Sequence, residues 1–184
     1  MSNKKIADSL FEAQAFLKEA KKLDILNRVG DAHAAFKSAC QLAPDDNEVL
    51  LEYGLFLCKH NQWKQAADVI LESTKYGSGP KGGFLQLAQC YRANQMWPEA
   101  YEAINNALTF EPQRAGVIHL KGVICIKHGL YDEAVEVLET LLKQRPDFEA
   151  AQKDYKEALE LKKRIKRGRM FLSSIKSGLR THGS

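Results

Sequence analysis

From residue 13 onward, apolar side chains recur at intervals of three and four in stretches of about a dozen residues, the spacing of one face of an α-helix. Short polar runs separate the stretches, as in HNQ at 60–62 and KHG at 127–129, which predicts helices paired by tight turns. "MWPEAYEAINNALTFEP" at 96–112 and "LYDEAVEVLETLLKQRP" at 130–146 share one pattern. Each has an aromatic residue, Glu-Ala two residues on, apolar residues at helical spacing and a closing Pro. Proline lacks the N–H that a helix interior needs and disfavours helix in the residue before it, so each Pro is expected to end a second helix.

These prolines fix a period of 34 residues: Pro146 follows Pro112 by one step, Pro44 precedes it by two, and the missing place holds Ser78 with Pro80 just after. Repeats beginning at 13, 47, 81 and 115 then align without an insertion. In the second half of each repeat, Ala32, Ala66, Ala100 and Ala134 fall in register, with Phe36, Ile70, Ile104 and Leu138 four residues later. In the first half the register gives Phe16, Leu50, Phe84 and Ile118. After them come the small residues Ala20, Gly54, Ala88 and Gly122, and then Leu23, Leu57, Tyr91 and Cys125. Small residues are needed where two helices cross closely, and larger ones fill the space beside the crossing. One hairpin cannot bury its own apolar faces, so the hairpins are expected to stack.

This pattern resembles the tetratricopeptide repeat (TPR) family. The third and fourth repeats carry the likeness best, through Phe84, Ala88, Tyr91, Trp97, Ala100, Ala107 and Pro112, then Gly122, Gly129, Tyr131, Ala134 and Pro146. The first repeat departs from it, with Asn27 and Val29 where Gly and Tyr are usual, and the second ends in the looser YGSGPKGG at 76–83. The resemblance implies an all-α solenoid of four helical hairpins, residues 13–46, 47–80, 81–114 and 115–148, wound as a right-handed superhelix. Residues 1–12 would extend the first helix. After Pro146 the pattern changes, and Asp147 with the stripe Phe148, Ala151, Tyr155, Ala158 and Leu159 predicts a capping helix over 147–167.

In such proteins the first helix of each hairpin lines a concave groove. Its residues are expected about 100° around from the packing stripe, one position later along the helix. That rule selects Leu17 and Lys21, Leu51 and Leu55, then Leu85, Gln89 and Arg92, and finally His119, Val123 and Ile126. Two readings are open: these residues are partly covered by the packing itself, or they form an apolar trough, flanked by Lys59 and Arg92, for an amphipathic or extended protein segment. Family members that clamp a C-terminal carboxylate use Lys, Asn, Asn, Lys and Arg. Here the corresponding places hold Leu17, Lys21, Glu52, Gly82 and Gln86, so a carboxylate-clamp chaperone partner is not expected.

Composition narrows the class without changing the fold. A chain of 184 residues, 45% hydrophobic and 27% charged, can bury a real core. No apolar run approaches the roughly 20 residues of a membrane-spanning helix, and Asp8, Ser9 and Glu12 interrupt the start where a signal peptide would be apolar, so a cytoplasmic protein is expected. Cys40, Cys58, Cys90 and Cys125 sit far apart without a CxxC pair and read as small packed residues. His33, His60, His119, His128 and His182 make no HxxxH pair, so no metal or cofactor is expected. The Gly-rich 76–83 lacks the Lys-Ser/Thr of a phosphate-binding loop and reads as a turn. With no GxSxG, HExxH or GxGxxG, the chain reads as non-catalytic.

Charge is segregated. The 19 basic and 23 acidic residues up to Glu160 leave −4, whereas 161–184 hold eight basic residues and no acidic one. Lys162, Lys163, Arg164, Lys166, Arg167 and Arg169 form a cationic helical extension. A basic amphipathic tail at 168–184 comes next, with Met170, Phe171, Leu172, Ile175 and Leu179. Three readings stand: a solvated extension, contact with an anionic membrane or nucleic acid, or apolar docking that includes self-association of tail and groove.

Overall fold

The structure is a computed structural model that describes residues 3–75 and 83–181, with side chains for residues 7–75 and 83–172. Among the described residues it is all α-helical. The order is α1 (Asn3–Ile25), α2 (Val29–Leu42), α3 (Asn47–Lys59), α4 (Trp63–Ser73), α5 (Gly83–Ala93), α6 (Trp97–Phe110), α7 (Ala115–His128), α8 (Tyr131–Gln144) and α9 (Glu149–Thr181). The chain divides into two compact units, Met1–Glu111 with α1 to α6 and Pro112–Ser184 with α7 to α9. Each odd-numbered helix up to α7 packs on the even-numbered helix after it.

All four hairpins close with the same turn. Asn27, Asn61, Gln95 and Gly129 take the left-handed backbone, with φ of 57°, 59°, 59° and 84°. The next residue's N–H then donates to a carbonyl five residues back: Arg28 to Leu23, Gln62 to Leu57, Met96 to Tyr91 and Leu130 to Cys125, each at 2.9 Å. This Schellman arrangement satisfies carbonyls that a helix end would otherwise leave unpaired. Glycine reaches this conformation without a Cβ penalty and asparagine reaches it often, which explains why Asn27 serves where glycine is usual. Helices α2, α6 and α8 end two residues before Pro44, Pro112 and Pro146, as proline's constraint on its predecessor requires. Asp46 caps α3 by accepting a hydrogen bond from the Val49 N–H at 2.9 Å.

The register read from the sequence is the core register of the second helices. Ala32, Ala66, Ala100 and Ala134 are buried, as are Phe36, Ile70, Ile104 and Leu138. The small residues mark close crossings. A Cβ built on Gly54 would lie 2.3 Å from Ile70 Cγ1, and one on Gly122 would lie 2.6 Å from Leu138 Cδ2. At both places any side chain larger than hydrogen forces the facing Ile70 or Leu138, or the helix that carries it, to shift.

In the first helices Ala20, Leu23, Leu50, Leu57, Ala88 and Cys125 are buried as the register expects, but other positions depart from it. Phe16, assigned to the packing stripe, is 41% exposed, whereas Leu17, Leu85 and Ile126, assigned to the groove, are 3%, 8% and 5% exposed. A first helix touches its own partner and a neighbouring hairpin, as α3 touches α4 and α2, so its buried arc is wider than a single stripe.

The capping helix is also longer than expected. The expected end at 167 is not a boundary, because α9 continues without a break through Gly168 to Thr181. Glycine in a helix interior costs about 1 kcal/mol relative to alanine, which the flanking Lys, Arg, Met and Leu, all good helix formers, offset in part. Residues 182–184, including His182, and the stretch 76–82 lie outside the described residues.

Candidate partner-binding faces

In the first unit, the candidate face is made by α1, α3 and α5. Leu51 and Leu55, one turn apart on α3, are half-buried, as are Lys21 and Gln89, while Lys59 and Arg92 are exposed. Leu17 and Leu85 belong to the core beneath it. Two of the cations are already matched. Lys21 Nζ lies 2.9 Å from Glu52, and Lys59 Nζ lies 2.8 Å from Asp24 of α1, whose other carboxylate oxygen is 2.9 Å from His60 Nε2. Arg92 forms no ion pair among the described residues. Beside Leu55, an open pocket of 160 Å³ is lined by Asp24, Phe36, Glu52, Leu55, Phe56 and Lys59. Small-molecule sites usually span about 300–1,000 Å³, so this hollow suits one side chain rather than a ligand.

Asp24 does not stand out in the sequence, yet it ties α1 to α3. Burial pushes its carboxyl up, but the hydrogen bonds and charge of Lys59 and His60 outweigh burial and hold it below the usual carboxylate value. A carboxyl depressed in the folded state contributes stability that is complete above its unfolded value, about pH 4, and is lost as pH falls through its folded value. Asp24→Asn is therefore expected to be less stable than the native chain at neutral pH and to show a shallower loss below about pH 4. Urea midpoints measured across that range check this, and parallel curves for the two proteins would refute it.

In the second unit the positions expected to line a groove are half-buried or buried, and one of them meets α9. His119 Nε2 lies 2.7 Å from Asp154 and its ring is 5.0 Å from that of Phe148, Val123 is half-buried, and Ile126 is buried. Lys127 pairs with Glu157 of α9 at 3.5 Å. His119 and Lys127 thus tie α7 to the capping helix. A larger hollow of 640 Å³ lies between the start of α8 and α9, lined in part by Tyr131, Asp132, Lys162, Ile165, Lys166 and Arg169, with Lys162 Nζ 2.7 Å from Asp132.

The cysteines are not as separate as their spacing suggests. Cys58 Sγ and Cys90 Sγ meet at 3.0 Å across α3 and α5, because their separation of 32 residues nearly equals the repeat period. That contact draws the Cys58 thiol down and, together with burial, drives the Cys90 thiol far up. Burial raises Cys40 to about 11 and Cys125 to about 12, so neither is a thiolate near neutrality. Among the described residues no group of three or more His, Cys, Asp or Glu is placed to hold a metal ion.

The fold is that of helical-repeat solenoids. MamA matches with a TM-score of 0.77 at 17% identity, covering 88% of each chain. YrrB, a TPR protein with an unusual peptide-binding site, matches at 0.75 and 17% identity, over 88% of this chain and 80% of that one. The Cut9–Hcn1 hetero-tetramer of the APC/C matches at 0.63 and 19% identity, over 80% of this chain and 30% of that one. In sequence, lipopolysaccharide assembly protein B of Haemophilus influenzae is 28% identical over 96 residues, 49% of this chain, which spans about a quarter (24%) of that relative. Residues 91–153, which contain α6, α7 and α8, match the tetratricopeptide repeat model. Over that stretch the chain is similar to the tetratricopeptide repeat family, and its fold is the fold of such helical-repeat proteins.

Proposed function

We propose that this chain is a non-catalytic scaffold that takes an amphipathic segment of a partner protein on the α1–α3–α5 face of its first unit. The observation that carries the reading is the pair Leu51 and Leu55, accessible one turn apart on α3, with Lys21 and Lys59 neutralised beside them and Arg92 left unpaired among the described residues. Apolar contact at the leucines would supply affinity, and an acidic residue meeting Arg92 would set the direction of the segment. The peptide-binding site of YrrB and the hetero-tetramer formed by Cut9 with Hcn1 lend support, since both are proteins of the same fold.

The test is selection of binding segments from a displayed peptide library, then affinity measurement on Leu51→Ser with Leu55→Ser. Full burial of such a side chain is worth about 1.5–3 kcal/mol, and both are half-covered already, so the pair should lose about 2 kcal/mol, roughly thirtyfold in affinity. Leu85 is left untouched because it is core. Segments that bind the double variant as tightly as the native chain would exclude this face.

A further inference from the structure

We propose that the segment of α9 from Leu161 onward is an interfacial helix that lays the molecule on an anionic lipid bilayer. The inference stands apart from the α1–α3–α5 face, since it concerns another helix and another class of partner. It begins with a contrast along one helix. Up to Glu160, α9 packs on α7 and α8, burying Ala151 and Ala158 and half-burying Phe148, Tyr155 and Leu159. From Lys163 to Leu172 every side chain is exposed, and among them Ile165 is 44% and Leu172 60% accessible.

The charge of this segment has one sign. Lys162 is held by Asp132 and Lys163 by Glu160, but Arg164, Lys166, Arg167 and Arg169 form no ion pair among the described residues. At about 100° per residue, Leu161, Ile165 and Leu172 fall within roughly 40° of one another. Arg164 flanks that stripe on one side, and Lys162 and Arg169 flank it on the other. In the sequence, Ile175 and Leu179 continue the same spacing.

An apolar stripe with cations on both edges suits the boundary between acyl chains and headgroups. The stripe enters the acyl region, while the long basic stems reach back to lipid phosphates. No helix among the described residues is long and apolar enough to cross a membrane, so α9 would lie on the surface. Nucleic acid fits less well. Phosphate contact needs the charges alone and would leave Ile165 and Leu172 in water, and 161–181 contains no Asn or Gln to read adenine.

Flotation of the intact chain with phosphatidylcholine vesicles, with and without one-third phosphatidylglycerol, tests the proposal, alongside binding to a duplex DNA oligonucleotide. The anionic vesicles should capture the chain and the neutral ones should not. Ile165→Ser with Leu172→Ser should cut capture by about tenfold or more at unchanged helicity, because both sites are exposed, and should leave any DNA binding unaltered. Arg164→Gln with Arg167→Gln should cut capture as well and weaken its salt dependence. Capture indifferent to the apolar pair, equal capture by neutral vesicles, or a chain bound by DNA but not by anionic vesicles would each overturn the proposal.

Discussion

Phe36→Ala is expected to remove about 3–5 kcal/mol from the first unit. Phe36 is 2% exposed and sits between two aromatic rings of α3, stacked on Tyr53 at 5.6 Å and tilted against Phe56 at 4.8 Å. Truncation therefore loses the buried area, leaves a cavity between α2 and α3, and forfeits ring contacts worth roughly 0.5–1.5 kcal/mol beyond area. Small domains hold only about 5–15 kcal/mol in all, so the change should be visible as a large drop in urea midpoint. Phe36→Leu keeps most of the volume and should cost well under half as much. If the alanine variant loses less than about 1 kcal/mol, the aromatic cluster is not what joins the first two hairpins.

In the second unit, Leu138→Ala should cost about 2–5 kcal/mol, and its partner across the crossing makes a sharper test. A Cβ on Gly122 would meet both Cδ2 and Cγ of Leu138 at 2.6 Å. Gly122→Ala alone therefore sets an overpacking cost of about 1–3 kcal/mol against a helix-propensity gain of about 1 kcal/mol, and clash should prevail. In the Leu138→Ala background the same methyl enters the space just vacated. Its effect should turn neutral or stabilising, a coupling of at least about 1 kcal/mol between the two sites. Chemical denaturation of the four proteins measures it. Strictly additive effects would mean that Gly122 is small for a reason other than Leu138.

How much of the molecule is legible in the sequence differs from helix to helix. The second helices read correctly at Ala66 and Ile70 or Ala134 and Leu138, because α4 and α8 each place their buried residues on one stripe with charged residues on the opposite face. The first helices read only in part: Ala20, Leu23, Leu50, Leu57, Ala88 and Cys125 are buried as expected, but Leu17, Leu85 and Ile126 are buried as well, and rotation about one helix axis cannot reveal how wide a buried arc is. The same blindness hides Asp24, which is an ordinary polar residue in sequence and becomes a link only when α3 brings Lys59 and His60 beside it. The meeting of Cys58 and Cys90 is within reach of the sequence, because residues about one period apart on equivalent helices are neighbours in any such repeat. The continuation of α9 past Gly168 stays hidden when glycine is weighed alone and not against the strong helix formers around it.

The four left-handed turns at 27, 61, 95 and 129 also decide where the chain tolerates a change of length. Between Gln95 and Gly129 the phase of every side chain is fixed at both ends. One residue inserted early in α6 would turn Ala100, Ile104 and Ala107 by about 100° and carry polar neighbours into the space they fill. The same residue added to the connection between Pro112 and Ala115 rotates neither α6 nor α7 against its own hairpin partner. Such a chain behaves like a text with a reading frame: a slip inside a helix scrambles every word from there to the next loop, and a slip in a loop leaves the words intact.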